Sequence, residues 1–228
     1  MRNSILAASL LALAVASPAA FAHKEGDIIV RAGAITVDPH ESSSDIWVGA
    51  LNTDVSGTKA TLDSDTQLGL NFAYMVTDHI GIELLAATPF SHSVGVKGMP
   101  GPFAGLNGKL GDLKHLPPTL SAVYYPMQSG SVFQPYVGLG INYTWFFDTE
   151  LTSNAEDKGF NGLDLDNSWG LAYQVGADYM LTDNIMINAQ MRYIDIDTKG
   201  TTSYGGREVE VNVDVDPFVY MVGLGYKF

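Results

Sequence analysis

Residues 218–228 read FVYMVGLGYKF, and an apolar side chain occupies every second position up to the final phenylalanine. Successive side chains of a β-strand point to opposite faces, so the pattern predicts a strand with one wholly apolar face. That face consists of Phe218, Tyr220, Val222, Leu224, Tyr226 and Phe228. The other face carries Met221, Gly223, Gly225 and Lys227. Such a strand is typical of a barrel wall with hydrocarbon outside and a packed or hydrated interior.

The first 22 residues have the three parts of a secretory signal peptide. Arg2 is the basic residue, residues 5–15 are a short apolar segment, and residues 20–22 (AFA) are a small-residue cleavage site. A membrane anchor is the weaker interpretation, because a spanning helix needs roughly 20 apolar residues. We therefore expect cleavage of residues 1–22 and a single barrel domain over residues 23–228, beginning at His23.

The composition limits the classes of function. Hydrophobic residues make up 46% of the chain and charged residues 16%, yet no stretch after residue 22 is long and apolar enough for a transmembrane helix. The apolar residues must therefore alternate with polar ones along strands. The chain has no cysteine, so strand pairing and burial must stabilise it in an oxidising compartment. With 25 acidic and 12 basic residues, nucleic acid is not an expected partner.

Alternation between turn signals predicts eight strands, an even number as bacterial single-chain barrels have. They cover residues 27–37, 65–76, 80–96, 116–125, 133–148, 168–181, 185–193 and 218–228. Short connections are expected at residues 77–79, 127–131 and 182–184, and long ones at 38–64, 97–115, 149–167 and 199–207. The pattern predicts an all-β, eight-stranded antiparallel transmembrane barrel with both termini in the periplasm and four longer extracellular loops. The polar inward residues, Glu83 among them, argue against a soluble barrel, whose interior is apolar.

The alternation inverts beyond the membrane-spanning part of strands seven and eight. Outward positions become acidic, and inward positions become apolar. The inward set, which we call the apolar throat, consists of Val209, Val211, Val213, Val215, Ile194 and Ile196. It predicts a wall that projects beyond the membrane, wet outside and apolar inside, although a bulge beside Pro217 would shift the phase. Asp164 and Asp166 break the rule, because they fall on the inward phase of strand six.

Prolines mark two neighbouring strands. Pro89 lies in strand three and Pro117 and Pro118 in strand four, and proline donates no ladder hydrogen bond. Missing donors on facing strands predict a loosened seam that opens toward the bilayer. The alternative is that these prolines only end the strands.

Enzymatic and metal chemistry is not expected. The segment Ser91-His92-Ser93 is the nearest candidate for nucleophilic catalysis, but adjacent strand residues point to opposite faces. The five histidines are scattered, so solvated loop or interface positions are the simpler interpretation. The pairs Asp63/Asp65, Asp164/Asp166 and Asp195/Asp197 complete no calcium loop and indicate solvated acidic loops. Trp145, Trp169, Tyr143 and Tyr179 are typical of interface girdles.

Nearly all of the mature chain resembles the OmpW family of outer membrane proteins, most closely its pseudomonad OprG branch. The segments that carry the resemblance are residues 31–33, 36–39, 65–70, 81–90, 116–120, 133–148, 167–170, 193–198 and 213–228. The resemblance implies an eight-stranded barrel with a hydrophobic channel, closed toward the periplasm, that releases small apolar molecules sideways into the membrane. For the OprG branch it also implies a proposed uptake of small amino acids.

The resemblance also places the channel constriction. It pairs Leu85 with a position where the family has tryptophan and this chain has Arg192. An arginine there would pair with Glu83 or Asp178 and form a charged plug. The proline that helps to open the lateral exit matches Pro89.

We therefore expect a channel in the outer membrane of a Gram-negative bacterium for diffusion of small hydrophobic molecules. The rival interpretations are a structural or receptor barrel and a narrow channel for small amino acids. Expected partners are outer-membrane lipid, lipopolysaccharide, small hydrophobic solutes and, through the C-terminal strand, the barrel-insertion machinery. No cofactor is expected.

Overall fold

The computed structural model describes residues 23–128 and 130–228, so the predicted signal peptide lies outside the described residues. Within them, the chain forms seventeen strands, a five-residue helix and one 3₁₀ turn. The strands are β1 (Ile28–Asp38), β2 (Ser42–Ser43), β3 (Ile46–Val48), β4 (Thr53–Val55), β5 (Lys59–Leu62), β6 (Asp65–Met75), β7 (Ile80–Ala87), β8 (Phe90–Lys97), β9 (Gly108–Leu116), β10 (Thr119–Tyr124), β11 (Phe133–Leu151), β12 (Phe160–Leu165), β13 (Ser168–Met180), β14 (Ile185–Ile194), β15 (Asp197–Tyr204), β16 (Arg207–Asp214) and β17 (Phe218–Lys227). The helix is α1 (Ser153–Asp157), and the 3₁₀ turn covers Gly101–Leu106.

Eight of the strands form a closed antiparallel barrel, as the alternation predicted. In order around the wall they are β1, β6, β7, β10, β11, β13, β14 and β17. The wall closes where β17 returns to β1, with Gly33 opposite Gly223. A Cβ on Gly33 would overlap the carbonyl oxygen of Val222, so the two strands approach closely only because both positions are glycine.

The barrel has two unlike ends. At one, which we call the turn end, residues 76–79, 125–132 and 181–184 connect the strands and Ile29 pairs with Lys227, so the chain enters and leaves there. At the other, the loop end, the wall continues beyond the eight strands as an outer wall formed by β8, β9, β12, β15, β16 and the end of β11. The described helices include none with the length and apolar content needed to cross a membrane.

A belt of exposed apolar side chains surrounds the eight strands. The belt includes Leu68, Leu70, Phe72, Tyr74, Ile80, Ile82, Leu84, Leu120, Tyr124, Val137, Leu139, Ile141, Leu171, Tyr173, Val175, Ile185, Ile187, Tyr220, Val222, Leu224 and Tyr226. At its loop-end edge, Trp169 is 72% exposed and its ring lies 4.7 Å from that of Tyr143. An apolar belt bounded by aromatic rings is the surface that a lipid bilayer requires of a barrel.

The structure corrects several sequence-based expectations at the loop end. The third and fourth strands are not continuous, because each breaks at its prolines: β7 ends at Ala87 and β9 ends at Leu116. The predicted loop at residues 199–207 is mostly strand, with its turn at Gly205 and Gly206. The other long connections carry β2 to β5, β9, α1 and β12.

The inward phase predicted for Asp164 and Asp166 is wrong. Both residues are exposed, because the wall breaks between β12 and β13 and the inward phase shifts from Leu165 to Ser168. On β16 and β17 the phase is constant across Pro217, so no bulge moves Val213 or Val215 to the outer face.

Candidate functional site

Four levels fill the barrel between the turn end and the loop end. The lower apolar layer consists of Ile29, Ala73, Met75, Val123, Tyr125, Tyr136, Met180 and Met186. Above it lies the polar layer, Arg31, Asn71, Glu83, Gln174, Asp178, Asn188 and Arg192. The upper apolar layer is Ile35, Val37, Leu85, Phe90, Leu113, Phe146, Ala172, Ile194, Ile196, Val213, Val215, Val219 and Met221. An open cavity occupies the fourth level, inside the outer wall.

Arg31 organises one half of the polar layer, a role that was not predicted from the sequence. Its Nε and Nη2 donate to the two carboxylate oxygens of Asp178 at 2.9 and 2.6 Å. Its Nη1 donates to Asn71 at 2.8 Å and to Glu83 at 3.2 Å. His23 Nε2 lies 2.8 Å from the same Asp178 carboxylate. A two-point contact of this kind holds the guanidinium in one orientation.

Arg192 organises the other half. Its Nη2 donates to Glu83, and its Nε donates to Gln174 at 2.5 Å. Gln174 in turn donates to Glu83 at 2.9 Å. Of the two carboxylates that the sequence left open as partners, Arg192 therefore takes Glu83, while Arg31 takes Asp178.

The charges of the polar layer balance, with two guanidiniums facing two carboxylates. Each of the four side chains is at most 1% exposed. Buried charges are tolerated only when they are paired and hydrogen-bonded. The layer therefore fills the lumen at this level with a charge-balanced, hydrogen-bonded network, in which Arg192 Nη1 has no hydrogen-bond partner among the described residues.

Leu85 belongs to the next level and not to the polar layer. It points inward two residues after Glu83 on β7 and is 2% exposed. There it packs with the aromatic rings of Phe90 and Phe146 and with the throat residues Ile194 and Ile196. The resemblance implied that Leu85 and Arg192 form one constriction. In the structure they lie on two consecutive levels, Leu85 in the upper apolar layer and Arg192 in the polar layer.

Above this level lies the inner cavity, which has a volume of about 70 Å³. Apolar side chains dominate its lining: Ile46, Ala60, Leu62, Val94, Val96, Met99, Leu110, Phe160, Leu163, Leu165, Val209, Val211 and Val213. Leu62, Val94 and Leu165 also pack against the upper apolar layer, so that layer is the floor of the cavity. The apolar lining of this cavity suits an apolar ligand.

The predicted apolar throat therefore divides between two levels. Val209 and Val211 line the inner cavity, and Ile194, Ile196 and Val215 lie in the packed floor beneath it. Val213 belongs to the floor and also lines the cavity. The opposite side of the inner cavity is formed by strands within residues 46–62 and 94–110. The alternation along predicted strands seven and eight did not indicate this side.

The seam between the third and fourth strands lacks ladder pairs at the level of the floor. The β7–β10 ladder ends at Leu85 with Thr119, and the β8–β9 ladder begins at Phe90 with His115. Residues 86–89 and 116–118 form no ladder pairs with each other, and we call these two segments the ladder gap. The ladder gap contains Pro89, Pro117 and Pro118. Its outer neighbours stay bonded, because Thr88 N donates to Leu68 O at 3.0 Å and Asn142 donates to the Pro117 carbonyl at 3.0 Å.

A buried histidine pair stands beside the ladder gap, so the expectation of solvated histidines is wrong for His92 and His115, as it is for His23, which is buried against Asp178. The Nε2 atoms of the pair lie 2.9 Å apart. His92 Nδ1 lies 2.6 Å from the Asp63 carbonyl, which only accepts, so His92 carries its proton on Nδ1 and accepts from His115. The remaining His115 Nδ1 has no hydrogen-bond partner within the described part of the chain. Burial and the neighbouring His92 lower the pKa of His115 to about 3.

The other candidate chemistry gives no catalytic arrangement. Ser93 Oγ donates to Asp112 at 2.9 Å, while both ring nitrogens of His92 face Asp63 and His115. Asp195 and Asp197 meet Asp216 in an exposed acidic cluster. Partial loss of water contact and the charge of Asp195 raise the pKa of Asp197.

An apolar belt, a filled lumen and an outer wall above the belt define an outer-membrane β-barrel. The model of the OmpW family matches residues 24–228, and the chain belongs to that family. Outer membrane protein W of Vibrio cholerae serotype O1 is 44% identical over 100% of both chains. The crystal structure of the outer membrane protein OprG from Pseudomonas aeruginosa shares 53% identity and a TM-score of 0.86, and covers 91% of this chain and 98% of its own.

A more distant relative is the dibenzothiophene metabolism operon protein PahQ of Pseudomonas aeruginosa. It is 25% identical over 175 residues, which is 76% of this chain and 77% of that protein. These similarities place this chain in the outer membrane of a Gram-negative cell, with its belt embedded in the bilayer.

Proposed function

We propose that this protein is an outer-membrane channel through which small hydrophobic molecules diffuse, entering at the loop end and leaving sideways through the ladder gap. The observation that carries the proposal is the apolar inner cavity standing on a packed apolar floor. Burying apolar surface stabilises an uncharged solute there by roughly 25 cal/mol per Å². A water-filled porin, which conducts polar solutes, does not require an apolar binding cavity.

The polar layer blocks the axial route for an apolar solute. A solute that continued toward the turn end would have to separate the ion pairs of Arg31 and Arg192, and leaving buried charges unpaired costs about 3–5 kcal/mol for each pair broken. The constriction formed by Leu85, Glu83 and Arg192 therefore closes the lumen toward the turn end. A solute in the cavity has to leave through the wall.

The ladder gap supplies the exit. Pro89 and Pro117 remove donors from the seam at the height where Leu85, Phe90 and Leu113 form the floor of the cavity. Opening this seam breaks no ladder bond between the two strands, because none bridges residues 86–89 and 116–118. The belt outside the gap is hydrocarbon, which an apolar solute enters favourably.

The relative PahQ supports an apolar solute, since its name places it in an operon for the metabolism of dibenzothiophene, an apolar aromatic compound. The remaining expectations join the proposal. The turn end faces the periplasm, residues 1–22 are a cleaved signal peptide, and lipopolysaccharide and the barrel-insertion machinery are partners.

Reversible closure of the ladder gap tests the proposal. The chain has no native cysteine, so the pair Ala86→Cys and Pro118→Cys introduces the only possible disulfide. Entry of N-phenyl-1-naphthylamine, an uncharged fluorescent aromatic amine, is followed in cells that lack their own family member. We expect oxidation to reduce entry to the rate of cells without the protein and a reductant to restore it. The matched control is Ile82→Cys with Ala122→Cys, which pair in the regular ladder.

A second measurement separates the rival functions. Proteoliposomes of the mature protein are assayed for uptake of radiolabelled alanine, in wild type and Arg192→Trp. If Arg192→Trp abolishes alanine uptake, the narrow amino-acid channel is favoured. The observation that supports this alternative is the polar layer, which carries both positive and negative charges and has no net charge. If neither the aromatic amine nor alanine enters through the wild type, a structural or receptor barrel replaces the proposal.

A further inference from the structure

Two apolar cavities lie in series at the loop end. The outer one, which we call the vestibule, has a volume of about 80 Å³. Its rim includes Leu51 and Phe103, which are 52% and 38% exposed. The vestibule and the inner cavity share Met99, Phe160 and Val209 in their linings. A solute that moves from the vestibule into the inner cavity therefore passes these three side chains.

Two of the three side chains are fixed. Val209 is β-branched and lies in β16, where it pairs with Thr202 on one side and Val48 on the other. The ring of Phe160 packs against Tyr204, with ring centroids 5.2 Å apart. Neither can withdraw without breaking a strand pairing or an aromatic contact.

Met99 combines a fixed backbone with a movable side chain. Asn107 accepts from Met99 N at 2.8 Å and donates to Met99 O at 3.2 Å. The preceding Gly98 has φ +84°, and a Cβ there would overlap the Gly57 carbonyl oxygen. The unbranched methionine side chain has three rotatable bonds and adapts its shape at low cost. It can therefore swing while its Cα stays in place.

We infer that Met99 is the gate between the vestibule and the inner cavity, and that its side chain limits the cross-section of the solutes that pass. The solute class is uncharged and apolar. Among the residues lining the two cavities, the charged one is Glu210, and its carboxylate is paired with Lys199 at 2.7 Å. This inference rests on the proposed function, because it assigns the selectivity of the same route.

The test is the rate of N-phenyl-1-naphthylamine entry into cells that carry Met99→Ala or Met99→Trp. We expect Met99→Ala to raise the rate about threefold to tenfold, the factor that corresponds to the cost of displacing a packed side chain from its rotamer. Met99→Trp fills the passage and should lower the rate by a similar factor. Matched controls are Met127→Ala and Met127→Trp at the turn end, where Met127 is 41% exposed.

Asn107→Ala provides an independent variant, since it frees the backbone of Met99 without changing the side chain. We expect it to raise entry as well. Folding of every variant is checked by its heat-dependent shift in electrophoretic mobility. If wild-type cells admit the probe no faster than cells without the protein, the proposed function fails. If wild type admits it but Met99→Ala, Met99→Trp and Asn107→Ala all match wild type, only the gate is overturned.

Discussion

Replacing Glu83 with glutamine perturbs the polar layer at the carboxylate that both guanidiniums contact. The amide keeps the size of the side chain and removes its negative charge. In the wild type this carboxylate accepts from Arg192, from Arg31 at 3.2 Å and from Gln174 at 2.9 Å. After the change, two buried guanidiniums face the single carboxylate of Asp178.

The magnitude follows from the imbalance. Removing one partner of a buried ion pair costs about 3–5 kcal/mol, because the other charge stays buried without compensation. Arg192→Gln leaves the opposite imbalance and should cost a similar amount. The double variant restores neutrality, since Arg31 and Asp178 remain paired. We expect its cost to fall short of the sum of the two single variants by about 2–3 kcal/mol, the coupling typical of residues in one network.

These free energies are measured by urea unfolding of the protein in lipid vesicles. Unfolding is followed by tryptophan fluorescence and by electrophoretic mobility. The control is Glu210→Gln, which removes a partly exposed pair with Lys199 and should change stability by less than about 1 kcal/mol. A Glu83→Gln variant as stable as this control, or a double variant whose cost equals the sum of the single costs, would refute the charge-balance reasoning.

Three further predictions concern the wall, the histidine pair and the girdle. Gly33→Ala should destabilise the barrel by about 2 kcal/mol or more in urea unfolding, because of the overlap with the Val222 carbonyl, whereas Gly105→Ala, with open space around it, should not. His115, with its pKa lowered to about 3, is neutral in the folded chain, whereas the unfolded chain binds a proton below about pH 6.5. Stability should therefore fall as the pH drops through the window from about 6.5 to 3, by about 3 kcal/mol at pH 4.5, and His115→Phe should flatten this slope between pH 7.5 and 4.5. Lipids brominated near the headgroup should quench the fluorescence of Trp145 and Trp169 but not that of Trp47 on β3 at the loop end, so a variant with Phe at both girdle positions should lose the quenching.

The alternation of residues along single strands determined the fold. Period two is a local property, so it gave eight strands, the face of each strand and the bounds of the terminal strands within a few residues. The alternation also predicted that, beyond the membrane-spanning part of the last two strands, the outward positions become polar and the inward positions apolar. The prediction was possible because inward and outward positions keep the same phase across Pro217. The proline positions predicted where the ladder between two strands fails.

The tertiary structure decided which inward residues share a level. Strand pairing brings Arg31 within hydrogen-bonding distance of Asp178, 147 residues away, and places His92 against His115. The height of a side chain along the axis depends on the stagger between neighbouring strands, which accumulates around the barrel and is not encoded in one strand. For the same reason, the division of the throat into a cavity and a floor, and the place of Met99 between two cavities, emerge only once the wall is closed.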